Sequence, residues 1–381
     1  MKKNFLFRLS AIAMSLILVA CGGSTSEDVV ENETTAIESE ESLNVVVTTP
    51  MLGEFVKQVA GDSVVLDILM PAEADPHTYD PSPQDAAKIA DADIVLYVGI
   101  KYETSSLLKL IENTASTNAT LLEIGEEIDP IEFKDGEHDH EEEGHDDEDG
   151  HDDHDEEGHD DDKDHDHDDE DGHDDHDEEG HDDHDDEDGH EDHDEEGHEG
   201  HDHGSEDPHF WFDPVRVAMA VEVIKDSLVS LDPANSSTYE ANADNFISEL
   251  TDLDAQVKEL IESVSEDNRK IVTTHEALGY LEARYGIEVF ATIIPSLSTA
   301  DEISPSQIAD VIDVIEDNNI KVLFVESEAP SVYAETVVAE AGITAVTGLY
   351  VETLKDGQTY SDFLISNVTL IVESLNSAGE G

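Results

Sequence analysis

Three histidines in this 381-residue chain lie outside its histidine-rich block, and two of them share one local pattern. His77 lies in DPHTYDP (75–81) and His209 in DPHFWFDP (207–214), so each follows an Asp-Pro pair and precedes another. Proline fixes its own φ and restricts the residue before it, so each histidine is expected to emerge from a stiff turn. His275 ends the β-branched run KIVTTH (270–275), which is a predicted strand. Imidazole suits zinc, copper or nickel, and the three histidines together predict one shared metal site.

Carboxylates beside the two turns are candidates to accept a hydrogen bond from the imidazole N–H. They are Asp75 or Asp80 for His77, and Asp207 or Asp213 for His209. Zinc commonly takes four tetrahedral ligands, so three histidines require a carboxylate or a water as the fourth. A protonated imidazole cannot ligate a metal. Binding is therefore expected to weaken as the pH falls through the ordinary histidine range near roughly 6.5.

The other seventeen histidines fall in one block, residues 138–203, with 40 Asp or Glu, 8 Gly and one lysine. No apolar side chain occurs there, so the block is predicted to be disordered unless a ligand orders it. The run EDGHDDHDEEGHDD at 148–161 recurs at 170–183, which indicates a low-complexity array. Many imidazoles and carboxylates favour a tract that captures or buffers zinc over a merely solubilising acidic insert. The tract histidines are His138, His140, His145, His151, His154, His159, His165, His167, His173, His176, His181, His184, His190, His193, His198, His201 and His203.

The overall charge excludes several classes of protein. The chain carries 98 Asp or Glu against 17 Lys or Arg, a formal net charge of −81. Nucleic-acid binding needs an electropositive surface and is excluded, and docking on anionic lipid is disfavoured. A single cysteine excludes a disulfide framework. The sequence lacks the HExxH, GxSxG and GxxxxGK[ST] motifs, so no enzyme is predicted.

The N-terminus reads as a targeting segment. A positively charged start precedes an apolar run that is too short to span a bilayer, so residues 1–20 are predicted to be a signal peptide. The LVAC ending resembles a bacterial lipobox and predicts lipidation of Cys21, although an ordinary signal peptide with an incidental cysteine is the alternative. Residues 21–42 are predicted to be a flexible acidic tether. The mature protein is therefore expected to be exported and lipid-anchored to a bacterial membrane.

The body of the chain alternates short β-branched runs with helical patterns, which predicts an α/β fold of two lobes, each a mainly parallel sheet flanked by helices. The predicted strands are 43–49, 63–69, 93–99 and 119–124 in the first set and 270–275, 287–293, 321–327 and 343–349 in the second. No Gly or Pro occurs between Ala234 and Lys270, so one rigid helix of about 30 residues is expected to join the lobes. Ligands of such sheets bind outside the carboxyl ends of strands, and the cleft between the lobes is the expected site. The predicted boundaries are 43–232 for the N-terminal lobe with its insertion, 233–268 for the linker helix and 269–381 for the C-terminal lobe.

The histidine segments resemble those of the metal-receptor branch of ABC-importer solute-binding proteins, and specifically the zinc-uptake receptor lipoproteins. ADPHTYDPSP, DPHFWFDP and TTHEALGY are similar, in this order, to the family's three histidine ligand segments. The resemblance runs from Leu43 to about Leu375 and includes a His/Asp-rich loop between the first two segments. It implies the metal ligands His77, His209 and His275. The resemblance also implies Glu352 of LYVETL as a fourth ligand, where the family often has aspartate.

The resemblance implies a monomeric, extracytoplasmic receptor that binds Zn²⁺ in the cleft without chemistry and delivers it to an ABC importer permease. Manganese receptors of the same branch carry glutamate at the third position, so His275 favours zinc. A metal-binding surface adhesin, a zinc-storage lipoprotein and a manganese receptor of the same fold remain alternatives. A zinc hydrolase is a further class, and an open water position on the bound metal would favour it.

Overall fold

Two four-stranded parallel sheets form the framework of the computed structural model, which describes residues 42–133, 206–328 and 332–379. The first sheet contains β1 (Leu43–Val47), β2 (Val64–Ile68), β3 (Ile94–Tyr97) and β4 (Thr120–Glu123). The second contains β5 (Lys270–His275), β6 (Glu288–Ile294), β7 (Val322–Glu326) and β8 (Thr344–Leu349). The strand orders are β2-β1-β3-β4 and β6-β5-β7-β8, so the two sheets share one topology. The predicted α/β class is confirmed, and each predicted strand is present to within two residues at either end.

Helices flank both sheets and link their strands. The first sheet is accompanied by α1 (Pro50–Ala60), α2 (Pro83–Ala90) and α3 (Ser105–Thr114). Two longer helices follow, α4 (Pro214–Leu231) and α5 (Ser236–Glu262). The second sheet is accompanied by α6 (Gly279–Tyr285), α7 (Pro305–Asp317), α8 (Val332–Ala341) and α9 (Tyr360–Gly379). Each parallel strand pair therefore has the helical crossover that parallel pairing requires.

The sequence analysis did not predict α2, although its start carries a clear local signal. The Ser82 hydroxyl accepts a hydrogen bond from the Asp85 N–H, and the Asp85 carboxylate accepts one from the Ser82 N–H. This reciprocal capping box is followed at once by Pro83, a residue suited to the first helical turn. Only Asp85 and Ile89 of the helix are buried, so its eight residues carry too little hydrophobic periodicity to be recognised.

Helix α5 runs for 27 residues, about 40 Å at 1.5 Å per residue, close to the predicted linker helix. It packs against α1 and α4 of the earlier part of the chain and against α9 of the later part. Its buried face repeats every three or four residues, as an amphipathic helix requires; the residues are Tyr239, Ala243, Phe246, Leu250, Leu253, Val257 and Ile261. The boundaries of the two lobes stay predictions.

One hydrophobic core includes residues from both sheets and from α5. Phe55 of α1 belongs to this core, with its ring centroid 6.5 Å from that of Phe246 of α5 and 5.5 Å from that of Tyr360 of α9. Phe212 and Phe363 make a further aromatic contact at 5.7 Å. Buried aromatic side chains contribute much of the energy of such cores, so the two sheets are held by shared packing as well as by the chain.

The predicted signal peptide, Cys21, all but the last residue of the tether and the histidine tract lie outside the described residues. Their assignments stay predictions. Within the described part of the chain, no helix combines the length and the hydrophobicity needed to cross a membrane.

Candidate metal centre

The four predicted metal ligands, His77, His209, His275 and Glu352, meet at one point in the interior. One potential ligand atom from each lies within 4.8 Å of the other three. His275 is the last residue of β5, His77 lies in the loop that follows β2, and Glu352 lies in the segment that follows β8. Three of the four therefore follow strands, as expected from the way sites collect at the carboxyl ends of parallel strands. His209 directly precedes the single 3₁₀ turn Phe210–Phe212 that leads into α4.

The imidazole Nε2 atoms of the three histidines converge on the Glu352 carboxylate. Nε2 of His77 and of His209 each lie 3.4 Å from Glu352 Oε1, and Nε2 of His275 lies 2.7 Å from it. The side chains of His209, His275 and Glu352 are fully buried, and that of His77 is 3% exposed. Three nitrogens and one carboxylate thus face a common centre that water barely reaches.

The facing atoms lack conventional hydrogen-bond partners. The Nε2 atoms of His77, His209 and His275 and both Glu352 carboxylate oxygens are buried without a well-formed hydrogen bond within the described structure. Buried polar atoms are normally satisfied, so a cluster of unsatisfied atoms that face one another needs an additional partner. A divalent cation fits this donor set, because three imidazoles and a carboxylate can supply a complete tetrahedral shell.

Asp207 is one of the two carboxylates that were predicted to orient His209, and it does contact the His209 imidazole. Its Oδ1 lies 2.8 Å from His209 Nδ1 and also accepts a hydrogen bond from the His209 backbone N–H at 2.9 Å. With Nδ1 engaged by the carboxylate, Nε2 is the nitrogen that faces the centre. The close approach of α6 requires a glycine, because a Cβ on Gly279 would lie 2.5 Å from Asp207 Oδ2.

Glu326, which the sequence analysis did not identify, plays the corresponding part for His275. The Glu326 carboxylate contacts His275 Nδ1 and accepts hydrogen bonds from the backbone N–H groups of Thr274 and His275 at 3.2 and 3.1 Å. Glu326 ends β7, the strand beside β5 in the sheet, so both residues lie at the same sheet edge. That placement is the sequence signal that could have found it.

The remaining predicted carboxylates do not contact an imidazole in the described structure. Asp75 accepts a hydrogen bond from the backbone N–H of His77 at 2.9 Å, and its other oxygen accepts one from the Thr299 hydroxyl at 2.6 Å. Asp80 is exposed. Asp213 caps α4 through the Val215 N–H and lies 3.0 Å from Arg284 Nε, so its role is structural. The two Asp-Pro-His turns therefore differ in what their aspartates hold.

The centre is strongly polarised without a metal. Burial alone would lower the pKa of His209, but the Glu352 charge and the hydrogen bond to Asp207 raise it to about 9. The pKa of His275 lies well above its usual range, because Glu326 and Glu352 outweigh its burial. Burial would raise the pKa of Glu352, but the neighbouring His209 and His77 hold it well below its usual range. Protons on His209 and His275 thus balance the carboxylate charge, and a cation that enters must displace them.

Comparison with known proteins gives an independent line of evidence on the family to which the chain belongs. Residues 45–374 match the family described as zinc-uptake complex component A, periplasmic. The chain is 29% identical to the zinc-binding lipoprotein AdcA of Streptococcus pneumoniae strain R6 over 393 residues, which cover 100% of this chain and 62% of AdcA. It is 24% identical over 380 residues to the manganese-binding lipoprotein MntA of Halalkalibacterium halodurans, which covers 98% of this chain and 99% of MntA.

The fold has a close counterpart among solved structures. The periplasmic zinc-binding protein TroA from Treponema pallidum matches with a TM-score of 0.65 at 21% sequence identity, over 87% of this chain and 98% of TroA. At this identity the likeness concerns the fold alone. Because AdcA and MntA are named for different metals, similarity by itself does not select the ion.

Proposed function

Because the chain belongs to the zinc-uptake complex component A family, a family of metal-binding receptors of ABC transporters rather than enzymes, we propose that it is an extracytoplasmic receptor for Zn²⁺. It binds one ion through His77, His209, His275 and Glu352 and delivers that ion to the permease of an ABC importer. A lipid on Cys21 holds it at the membrane. The observation that carries the proposal is the convergence of three Nε2 atoms on one buried carboxylate.

The donor chemistry supports zinc over manganese. Imidazole nitrogen is a ligand that zinc prefers, whereas manganese favours carboxylate, carbonyl and water oxygen. Three of the four candidate ligand atoms are imidazole nitrogens. The Nδ1 atoms of His209 and His275 are already held by Asp207 and Glu326, so two of the rings are oriented before the metal arrives. A smaller ordering cost on binding follows for those two rings.

The same arrangement supports binding without chemistry. A catalytic zinc keeps one position open for a water or a substrate, whereas a site with four protein ligands is closed. His77 and His209 precede α5 in the chain and His275 and Glu352 follow it, so one ion links the two halves of the protein. Capture is then a matter of bringing four ligands together, and release a matter of separating them.

Competition between metals tests the proposal on the intact chain. Trp211 is the single tryptophan, and its ring centroid lies 5.5 Å from that of His209, so its fluorescence reports on this centre rather than on the tract. We expect Zn²⁺ to be retained against Mn²⁺ at an excess of about 100-fold, because zinc binds nitrogen sites more tightly. Displacement of Zn²⁺ by an equal concentration of Mn²⁺, or of Fe²⁺, would overturn the zinc assignment and leave a metal receptor of another specificity.

We further propose that the histidine tract captures or buffers zinc for this centre. Glu132 and Glu206 form an antiparallel bridge, and the Asp207 N–H donates to the Ile131 carbonyl at 3.0 Å. The insertion therefore leaves and re-enters the described structure next to Asp207, the partner of His209. Many weak ligands tethered at this point raise the effective concentration of zinc beside the centre.

Removal of residues 138–203 tests the role of the tract. We expect the full chain to bind several zinc ions per molecule and the shortened chain to bind one, as measured by equilibrium dialysis with metal analysis. The affinity reported by Trp211 should change by less than about threefold, since the four candidate ligands remain. A full-length variant with glutamine at all seventeen tract histidines separates imidazole from carboxylate binding. A stoichiometry of one with and without the tract contradicts buffering.

A further inference from the structure

The segment that carries Glu352 is held by side chains from the other half of the protein. The Tyr102 hydroxyl donates a hydrogen bond to the Glu352 backbone carbonyl at 2.8 Å. The Trp211 indole N–H donates one to the carbonyl of Val351 at 2.7 Å. All four residues are at least 99% buried. Glu352 follows the last strand of its sheet and lies in no helix or strand, so these two bonds tie its backbone to the other half, while Asn367 holds the neighbouring Tyr350 from within the same half.

Tyr102 itself is held in place by an unusual turn after β3. Gly99, Ile100 and Lys101 have φ values of 78°, 51° and 59°, three consecutive residues in a region that side chains other than glycine rarely adopt. Such a conformation persists only where its surroundings enforce it. The Glu103 carboxylate accepts the N–H groups of Val98 and Gly99 at 2.7 and 2.9 Å. The turn therefore fixes the backbone from which the Tyr102 side chain extends.

The ring of Tyr102 also contacts two of the histidines. Its centroid lies 5.2 Å from that of His77 and 5.8 Å from that of His209, both in edge-to-face geometry. The buried Tyr102 side chain thus packs on His77 and His209 of its own half and binds the backbone of Glu352, one of the two candidate ligands of the other half. Its position couples the two halves at the metal centre directly, in addition to the shared core.

We propose that Tyr102 is a positioning residue that fixes Glu352 against the three histidines and thereby slows release of the bound ion. This inference rests on the proposed function. Without the hydroxyl, the Glu352 segment loses one of its two anchors to the other half. The carboxylate then separates more readily from the metal, which is the first step of opening. Association, which needs only an approach of the ion to the histidines, depends less on this bond.

The test is Tyr102→Phe in the full chain, which keeps the ring and removes the hydroxyl. Zinc-loaded protein is mixed with excess EDTA, and release is followed by Trp211 fluorescence. We expect release to be about 10- to 100-fold faster, the range typical of outer partners of metal ligands. Tyr239→Phe is the matched control, because Tyr239 is also fully buried and its hydroxyl donates to the Asp232 carboxylate at 2.7 Å rather than to the Glu352 segment or to Trp211.

A double-mutant cycle separates positioning from a general loss of stability. We expect Tyr102→Phe to weaken equilibrium zinc affinity in the wild-type background and to have less than about a twofold effect in a Glu352→Ala background. Equal effects in both backgrounds, or release as slow as that of Tyr239→Phe, would overturn the proposal. Circular dichroism of the metal-free variants checks that each remains folded. Failure of the wild-type protein to respond to zinc at all would instead refute the proposed function.

Discussion

Replacing His275 with alanine is expected to lower the affinity for zinc by about 10³-fold or more. Its Nε2 is the nitrogen closest to Glu352 Oε1, at 2.7 Å, and its Nδ1 is held by Glu326. The ring is therefore fixed in place, and we expect no neighbouring side chain to substitute for it. The substitution removes one of three nitrogen ligands and leaves Glu326 buried without its imidazole partner. Loss of a partner outside the coordination shell typically costs 10- to 100-fold, and loss of a ligand should cost more. Zinc titration with a competing chelator, read by Trp211 fluorescence, measures the change.

Two further variants allow the loss of zinc affinity in His275→Ala to be judged by comparison. Glu326→Gln keeps His275 but weakens its orientation, and we expect a loss of affinity of about 10- to 100-fold. Asp80→Asn alters an exposed carboxylate beside His77 and should leave the affinity unchanged. An affinity for His275→Ala within about threefold of the wild type would show that His275 is not a ligand. A loss in Asp80→Asn as large as that in His275→Ala would indicate an effect of general charge instead.

The three candidate histidine ligands were predictable from the sequence because the chain separates them from its other histidines. Outside the tract only three histidines remain, two of them in matching Asp-Pro-His turns. The tract obscures this pattern when histidines are counted over the whole chain, but not when their positions are followed along the sequence. Glu352, by contrast, came from resemblance alone, because one acid among 98 has no distinguishing local pattern. Its convergence with the histidines depends on the loop after β8, whose path no periodicity fixes.

The partners of the ligands were less predictable, for a physical reason. Asp75 and Asp207 occupy the same place in the two turns, yet only Asp207 contacts the imidazole of its histidine. The difference arises from tertiary contacts: Thr299 binds a carboxylate oxygen of Asp75, while α6 packs closely on Asp207 at Gly279. Glu326 reaches His275 only because β5 and β7 are neighbours in the sheet. Local sequence determines a turn, but strand order and packing determine what each side chain meets.

The strands were predicted from the sequence, whereas helix α2 was not. The reason is that the strands and this helix are marked by different sequence signals. Buried parallel strands read as continuous β-branched runs, which stand out in an acidic sequence. Helix α2 has few buried residues and is marked mainly by the capping box of Ser82 and Asp85 and by Pro83 in its first turn. Reading hydroxyl-Pro pairs as helix starts would have found it, because the same signal marks the start of α1, where Thr49 precedes Pro50 and accepts the Leu52 N–H.

The apparent affinity for zinc is expected to rise with pH up to about pH 9 instead of levelling off near 7. The sequence alone suggested a transition near the ordinary histidine pKa of roughly 6.5. The environment changes that expectation, because Glu352 and Asp207 raise the pKa of His209 to about 9, and Glu326 and Glu352 raise that of His275. Below these pKa values zinc must displace a proton from each ring. The apparent binding constant for zinc then falls about tenfold, for each proton displaced, with every unit by which the pH is lowered.

The sign of this dependence follows from the metal-free state. A raised pKa means that the protonated imidazole is favoured before zinc binds, so protons compete with the metal up to the raised value. Chelator competition from pH 6 to 9.5, with calorimetry in buffers of different ionisation enthalpy, measures the affinity and the protons released. In Asp207→Asn the hydrogen bond that raises the pKa of His209 is weakened, so the part of the rise that His209 contributes should end at a lower pH. A plateau above pH 7 in the wild type, without proton release, would mean that the imidazoles are already neutral and that burial outweighs the carboxylates.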